Sequence, residues 1–286
     1  MKKKPRKVDL VVLSDIHLGT YGCHAAELYK YLKSIQPKKL VLNGDIIDIW
    51  QFSKRYWPNS HMKVVKQILN LASKGTQVFY ITGNHDETLR KFDGMQMGNL
   101  QILNKLVLDL DGEKAWFFHG DVFDVFMKHS KWLAKLGAVS YDALILLNIV
   151  VNRISKIFGY PYVSLSKKVK DNVKSAVKYI DNFEETAAEL AIKKGFSHIV
   201  CGHIHKPENR LLKTNNGHSV RYLNSGDWIE NLSALEYHKK EWKIYRFLED
   251  HKLVAPETEN EEDISQVLID LDHKMIFRKM LADFQN

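Results

Sequence analysis

The sequence predicts an α/β fold. Three observations carry that expectation. Short β-branched apolar runs recur early, stretches with helical spacing separate them, and a later turn signal brings in antiparallel pairing. Val8–Leu13 is the first run and reads as a buried strand ending in Ser14-Asp15. Ala25–Ile35 then sets Leu28, Tyr31, Leu32 and Ile35 on one helical face, and Pro37 stops it. Lys39–Leu42 reads as the next strand, Met62–Ser73 as a helix with Gly75 past its end, and Gln77–Thr82 as a third strand. Helical crossovers between these strands make the start of the sheet largely parallel. Leu100–Leu110 alternates, turns at Asp111-Gly112 and returns as Lys114–His119, a hairpin signal. From Val125 to Tyr179 there is no strand signal, and this block reads as an inserted helical cap. Phe183–Lys193 is helical again before Gly195, and His198–Cys201, Arg221–Leu223, Ser233–Tyr237 and Trp242–Arg246 complete the strands. Glu257–Asp263 reads as an acidic linker and Ile264–Phe284 as a terminal helix. The expected organisation is a main domain over 1–250 with a cap at about 125–180, followed by 251–286.

Composition narrows the function classes. In 286 residues the hydrophobic fraction is 45% and the charged fraction 27%, which excludes a disordered or low-complexity chain. Only Cys23 and Cys201 are present, which excludes a disulfide-stapled scaffold and suits a reducing compartment. Cys201 sits in a strand pattern and reads as a small core residue. The formal charge of +8 favours anionic partners. The most apolar run, Ala143–Val151, contains Asn148 and is far short of the ~20 residues a spanning helix needs. Met1–Lys7 is basic, but Asp9 and Asp15 interrupt the apolar stretch behind it, so it reads as a lead-in to the first strand of a cytoplasmic protein rather than a signal segment.

Five segments share one pattern, an apolar strand running into Asp, Asn or His. They are Leu13-Ser-Asp15-Ile-His17, Asn43-Gly44-Asp45, Thr82-Gly83-Asn84-His85-Asp86, Phe118-His119-Gly120-Asp121 and Cys201-Gly202-His203-Ile-His205. Ligands of α/β sheets sit outside the carboxyl ends of strands. Imidazoles, carboxylates and an amide oxygen without thiolates suit Mn, Fe or Zn. The candidates outnumber the ligands of one tetrahedral ion and suit two ions sharing a carboxylate, typically ~3.5–4 Å apart. The remaining histidines, His61 and His198 among them, read as core or surface residues.

These motifs, in this order, resemble those of the calcineurin-like metallophosphoesterases over roughly residues 8–230. The resemblance implies an α/β/β/α sandwich with two mixed sheets. It assigns Asp15, His17 and His205 to one divalent ion, Asn84, His119 and His203 to the other, and Asp45 as the bridge. It also implies that His85 stands over the ions as a hydrogen-bond donor or acid towards the leaving oxygen, with Asp86 as the carboxylate that orients it.

The loop Ser14–Gly19, the continuation Gly44-Asp-Ile-Ile-Asp48-Ile-Trp50 and the cap are similar to the branch containing UDP-2,3-diacylglucosamine hydrolases of lipid A biosynthesis. That branch releases UMP and the lipid 1-phosphate, uses manganese and works at the cytoplasmic face of the inner membrane. In that branch a Ser and lysines of the cap meet sugar or phosphate, which carries over here as a region, with Ser166, Lys167, Lys168 and Lys170 as candidates and no single lysine matched. The composition of the cap also offers Trp132, Leu136, Leu144, Leu147 and Val151 as the lining of an acyl slot. The chain departs from the branch at His85, where its best-known members carry Arg. The alternatives are a phosphodiesterase or phosphatase for a soluble ester or nucleotide, and a non-catalytic scaffold on the same fold. No nucleic-acid module is recognisable. The basic N-terminus and cap lysines are expected to favour peripheral contact with an anionic membrane.

Overall fold

The computed structural model describes residues 4–50, 56–125, 173–213 and 217–250. Met1–Asp250 form one compact unit and His251–Asn286 a second. The expected acidic linker and terminal helix, and most of the expected cap, lie outside the described residues. The strands, in chain order, are β1 (Arg6–Leu13), β2 (Ile35–Asn43), β3 (Gln77–Ile81), β4 (Gln96–Met97), β5 (Leu100–Leu103), β6 (Leu106–Leu110), β7 (Glu113–Phe117), β8 (His198–Cys201), β9 (Glu208–Lys213), β10 (Ser219–Asn224), β11 (Ser233–His238) and β12 (Glu241–Arg246). The helices are α1 (Ala25–Ser34), α2 (Asn59–Ser73) and α3 (Val173–Lys193), with a final helical turn at Phe247–Asp250.

Two mixed sheets result, one ordered β12-β11-β1-β2-β3-β5-β4 and the other β6-β7-β8-β10-β9. In the first, β1, β2, β3 and β5 run parallel, as crossovers through α1 and α2 require. In the second, β7, β8 and β10 run parallel. Strands buried on both faces read as continuous apolar runs, and β1 is such a strand. Val11 and Leu13 face α1 and α2, alongside Leu28, Leu32, Val64 and Leu71. Leu10 and Val12 point the other way, into a core shared with Phe117, Val200 and Leu223 of the second sheet. The outer face of that sheet is covered by Phe183, Ala187, Ala188 and Ala191 of α3, packed on Trp116, Ile199, Cys201 and Tyr222. The layers are therefore helix, sheet, sheet, helix, as expected for the α/β/β/α sandwich.

Three differences from the sequence reading have identifiable causes. α1 ends at Ser34, and β2 starts at Ile35, earlier than expected. Pro37 sits inside β2 opposite Val8, near the start of the strand, where its missing N–H is tolerated. The alternating stretch Leu100–Leu110 is two strands in different sheets. β5 pairs with β3, β6 pairs with β7, and Asn104-Lys105 carries the chain across. The expected hairpin at Asp111-Gly112 forms, with both residues at positive φ. Phe183–Lys193 is the second half of a helix that begins at Val173, so the expected break near 180 does not occur. The apolar stripe of Phe183, Ala187 and Ala191 against the second sheet outweighs the weak helix propensity of Asp181-Asn182. β4 and β9 carried too little apolar signal to be read, because both are short or polar edge strands.

Candidate metal centre

Six parallel strands, three from each sheet, deliver their carboxyl ends to one rim of the sandwich: β1, β2 and β3, and β7, β8 and β10. The chain turns sharply at that rim. Asp15, His17, Asp45, His203 and His205 all adopt left-handed backbone conformations, with φ of 51°, 53°, 53°, 68° and 54°. Such a residue costs about 1–3 kcal/mol when it is not glycine, and these outliers gather where function is expected. The rim is tied together by backbone. The Asp15 N–H donates to the Gly44 carbonyl at 3.1 Å, the His17 N–H to the Asp45 carbonyl at 2.9 Å, and the Gly202 N–H to the His119 carbonyl at 2.8 Å. Gly44 has no substitute: its φ is +84°, and a Cβ there would strike the His119 ring.

The predicted ligands converge in two groups, and His17, Asp48 and His85 form a third cluster beside them. Ligand atoms of Asp15, His17 and His205 lie within 4.8 Å of one another, and so do those of Asp45, His119 and His203. Asn84 joins the second group, with its Oδ1 3.2 Å from His119 Nε2. Asp45 lies between the groups, its Oδ2 3.2 Å from His119 Nε2 and 4.0 Å from His17 Nε2. The structure thus brings together all seven residues that the motifs singled out.

Three of the imidazoles are held in the tautomer a cation needs. His119 Nδ1 lies 3.0 Å from the Asn43 carbonyl oxygen, which only accepts, so that nitrogen carries the proton. His17 Nδ1 donates to Asp48 Oδ2 at 3.0 Å, and His205 Nδ1 faces Asp227 Oδ2 at 3.5 Å. Each Nε2 is left pointing inward, the outer arrangement expected of metal-binding histidines. Inside, His119 Nε2 faces the oxygens of Asn84 and Asp45, and His205 Nε2 lies 3.3 Å from Asp15 Oδ1. His17 Nε2 is buried with no hydrogen-bond partner. Lone pairs converging in this way require either protons or cations between them. The donor set, imidazole with carboxylate and amide oxygen, fits divalent ions of the Mn, Fe and Zn class.

Electrostatics point the same way. Burial alone would raise the Asp15 and Asp45 carboxyls, but the imidazoles of His205 and His119 outweigh it and hold both below the ordinary carboxylate range. Burial would lower His119, yet the Asp45 and Asp15 charges push its pKa up to about 10. His205 is driven up against burial by Asp15 and Asp227. Without cations the site therefore retains protons on its imidazoles, and cation uptake must displace them. Divalent-ion affinity is expected to rise with pH through the neutral range. Calorimetric titration in buffers of different ionisation enthalpy should show proton release on binding. An affinity independent of pH would contradict this arrangement.

One role differs from expectation. The carboxylate that orients His85 is Asp48, whose Oδ2 lies 2.9 Å from His85 Nδ1. Asp86 instead accepts from the Ile46 and Gly83 N–H groups at 3.0 and 2.6 Å and from the Tyr80 hydroxyl at 2.6 Å. Its oxygens stitch the second and third loops together and do not serve the imidazole. A residue adjacent in sequence to His85 was expected there, but in this turn the neighbouring side chain points back under the loop. Burial lowers the His85 imidazole, but Asp48 and the Asp45 charge bring it above its ordinary value. The Trp50 indole lies against it, ring centroids 4.6 Å apart.

Residues that the sequence reading passed over also support the site. Asp227 accepts three backbone N–H groups, from Ile229, Glu230 and Asn231, besides facing His205. A signal was present, because Leu223-Asn-Ser-Gly-Asp227 repeats the pattern of an apolar strand running into Asn, Gly and Asp. His61 is buried and accepts the Gly19 N–H at 2.9 Å, bracing the first loop. Burial lowers its pKa to about 4, so it is the neutral acceptor this contact needs. His198 is a largely buried residue beside Glu113 and Trp242. Cys23 and Cys201 are buried and form no disulfide. Ser166, Lys167, Lys168 and Lys170, and the apolar residues expected to line an acyl slot, lie outside the described residues.

Comparison with known proteins agrees with this geometry. Residues 8–207 match the family model described as calcineurin-like phosphoesterase. The chain is 26% identical over 247 residues to the UDP-2,3-diacylglucosamine hydrolase of Aliivibrio fischeri (strain MJ11), covering 82% of this chain and 99% of that protein. It is 24% identical to the enzyme of the same name from Aeromonas salmonicida (strain A449), covering 78% and 87%. Among solved structures, Yfce, a phosphoesterase from E. coli, aligns with 86% of this chain and 96% of its own at 16% identity and a TM-score of 0.40.

Proposed function

We propose, because this chain belongs to the calcineurin-like phosphoesterase family of metal-dependent hydrolases, that it hydrolyses the pyrophosphate of UDP-2,3-diacylglucosamine, releasing UMP and 2,3-diacylglucosamine 1-phosphate. The observation that carries the hydrolytic part is the convergence of three inward Nε2 atoms on the Asp15, Asp45 and Asn84 oxygens. The substrate rests on relatives of that name aligned along most of both chains. In this reading Asp15, His17 and His205 hold one ion, Asn84, His119 and His203 the other, and Asp45 both. When bound, two divalent cations, manganese in this proposal, supply Lewis-acid charge to phosphoryl oxygens and lower the pKa of water towards neutrality.

The chain's own contribution centres on His85. Asp48 Oδ2, 2.9 Å from its Nδ1, stabilises the imidazolium, whose Nε2–H is left to donate. Its side chain is 18% exposed, so it is reachable from the rim. From there it donates a hydrogen bond to a phosphoryl oxygen or a proton to the oxygen that leaves. Trp50 packs on one face of the ring and limits its rotation.

We place the enzyme in the cytoplasm, in peripheral contact with an anionic inner-membrane surface. No helix among the described residues is long and apolar enough to cross a membrane. Arg6 forks onto both carboxylate oxygens of Glu236, so within the described lead-in Lys4 and Lys7 are the cations offered to lipid headgroups. The test is product analysis with the manganese-loaded chain. Release of UMP from the lipid-linked nucleotide is the expected result. Turnover of simple aryl phosphates with no action on the lipid substrate would favour the soluble-ester alternative. That alternative draws on His85, the residue of generic phosphoesterases at a position where the best-known lipid hydrolases carry Arg.

A further inference from the structure

We propose that Phe183 is a positioning residue for His203, and through it for one of the two cation positions but not the other. This rests on the reading of Asn84, His119 and His203 as the ligands of one ion.

Phe183 is fully buried on α3, the helix layered on the second sheet. Its ring reaches the site from behind, with centroids 6.5 Å from the His203 ring at an interplanar angle of 35°. Phe123 braces it from the side, 5.3 Å away at 86°. His203 meets His119 at 5.2 Å and 72°, so Phe183, His203 and His119 form a continuous aromatic run ending on two ligands of one ion. Gly120, directly after His119, completes the contact. A Cβ at Gly120 would lie 2.8 Å from Phe183 Cζ and 3.2 Å from His203 Cβ. The ring therefore occupies the notch where the loops carrying His119 and His203 meet.

α3 is fixed at this level by a second contact one residue on. Glu184, 1% exposed, forms an ion pair with Arg210 of β9. The helix cannot slide along the sheet without stripping the buried Glu184 carboxylate of its partner, an expensive change. Of the other ion's ligands, His17 is held by Asp48 and His205 by Asp227, while Asp15 accepts the His203 backbone N–H, a contact made by the main chain and not by the ring that Phe183 meets. His203 holds a left-handed backbone conformation, which persists only where surrounding packing over-determines it. The Gly202 N–H bond to the His119 carbonyl and the His203 N–H bonds to Asp15 fix that backbone, and Phe183 bears on the ring.

The experiment is equilibrium dialysis of the full chain against graded Mn²⁺, with metal measured by mass spectrometry. The unaltered chain should bind two ions. Phe183→Ala should weaken one position by about 10–100-fold, the usual size of an outer-contact loss, and leave the other within about 2-fold. Phe183→Leu keeps apolar volume but not the flat ring, and should show the same asymmetry at smaller size. It serves also if the alanine variant does not fold. Val220→Ala, in the same apolar cluster, is the control and should leave both positions intact. Equal weakening of both positions, or two unaltered positions in Phe183→Ala, would overturn the proposal. Failure of the unaltered chain to bind two ions would overturn the ligand reading beneath it.

Discussion

Asp45→Ala is expected to remove both cations together and to lower kcat/KM by at least ~10³-fold. The figure follows from several kcal/mol of transition-state charge stabilisation at 1.36 kcal/mol per decade. Asp45 is the residue within reach of both groups of imidazoles, 3.2 Å from His119 Nε2 and 4.0 Å from His17 Nε2. Its other oxygen accepts the His85 N–H at 2.8 Å, so its loss also loosens the loop that carries His85. Asp45→Asn separates the two effects. It keeps an acceptor for the His85 N–H but removes the charge that two cations share. Metal content by mass spectrometry decides the matter. Two ions retained at full occupancy in Asp45→Ala would reject the bridging role.

His85→Ala should lower kcat by roughly 10²–10⁴-fold while both ions stay bound. The reason is positional. His85 carries its Nδ1 on Asp48 and belongs to neither converging group of inward Nε2 atoms. Loss of both metals in this variant would show that it holds a cation instead. Asp48→Asn sharpens the test. Burial lowers the His85 pKa, and Asp48 opposes this by hydrogen bond and charge. An acid must be protonated to act, so activity falls as pH rises through its pKa. Removing Asp48 lowers that pKa, and the alkaline limb of the kcat profile should move to lower pH. An unmoved alkaline limb would mean that another group supplies the proton. His17 leans on the same carboxylate, so metal content must be followed alongside.

The exchange of roles between Asp48 and Asp86 shows where reading along the chain loses its grip. Sequence proximity favoured Asp86, the neighbour of His85. Space favoured Asp48, three residues beyond Asp45, because the Leu18 and Ile46–Asp48 backbones zip together and carry it under both His17 and His85. The split of Leu100–Leu110 between two sheets has the same character. Alternation reports that a stretch pairs with something on a half-buried surface, but not which sheet does the pairing. Asp227 was legible in principle, since its segment repeats the pattern of the other strand ends. What hid it was the absence of a histidine beside it.

Much was local and therefore written in residue order. Strand runs, helical spacing, the Asp111-Gly112 turn and the seven candidate ligands follow from side-chain chemistry and short-range periodicity, and they suffice for the fold class and for a divalent-metal site. The partner of each imidazole, the left-handed turns at five of the ligands and the notch filled by Phe183 depend on which distant strands lie side by side. Tertiary structure decided those, because a hydrogen bond or a ring contact is set by separation in space over a few ångströms, while the residues that make it can stand 188 positions apart, as His203 and Asp15 do.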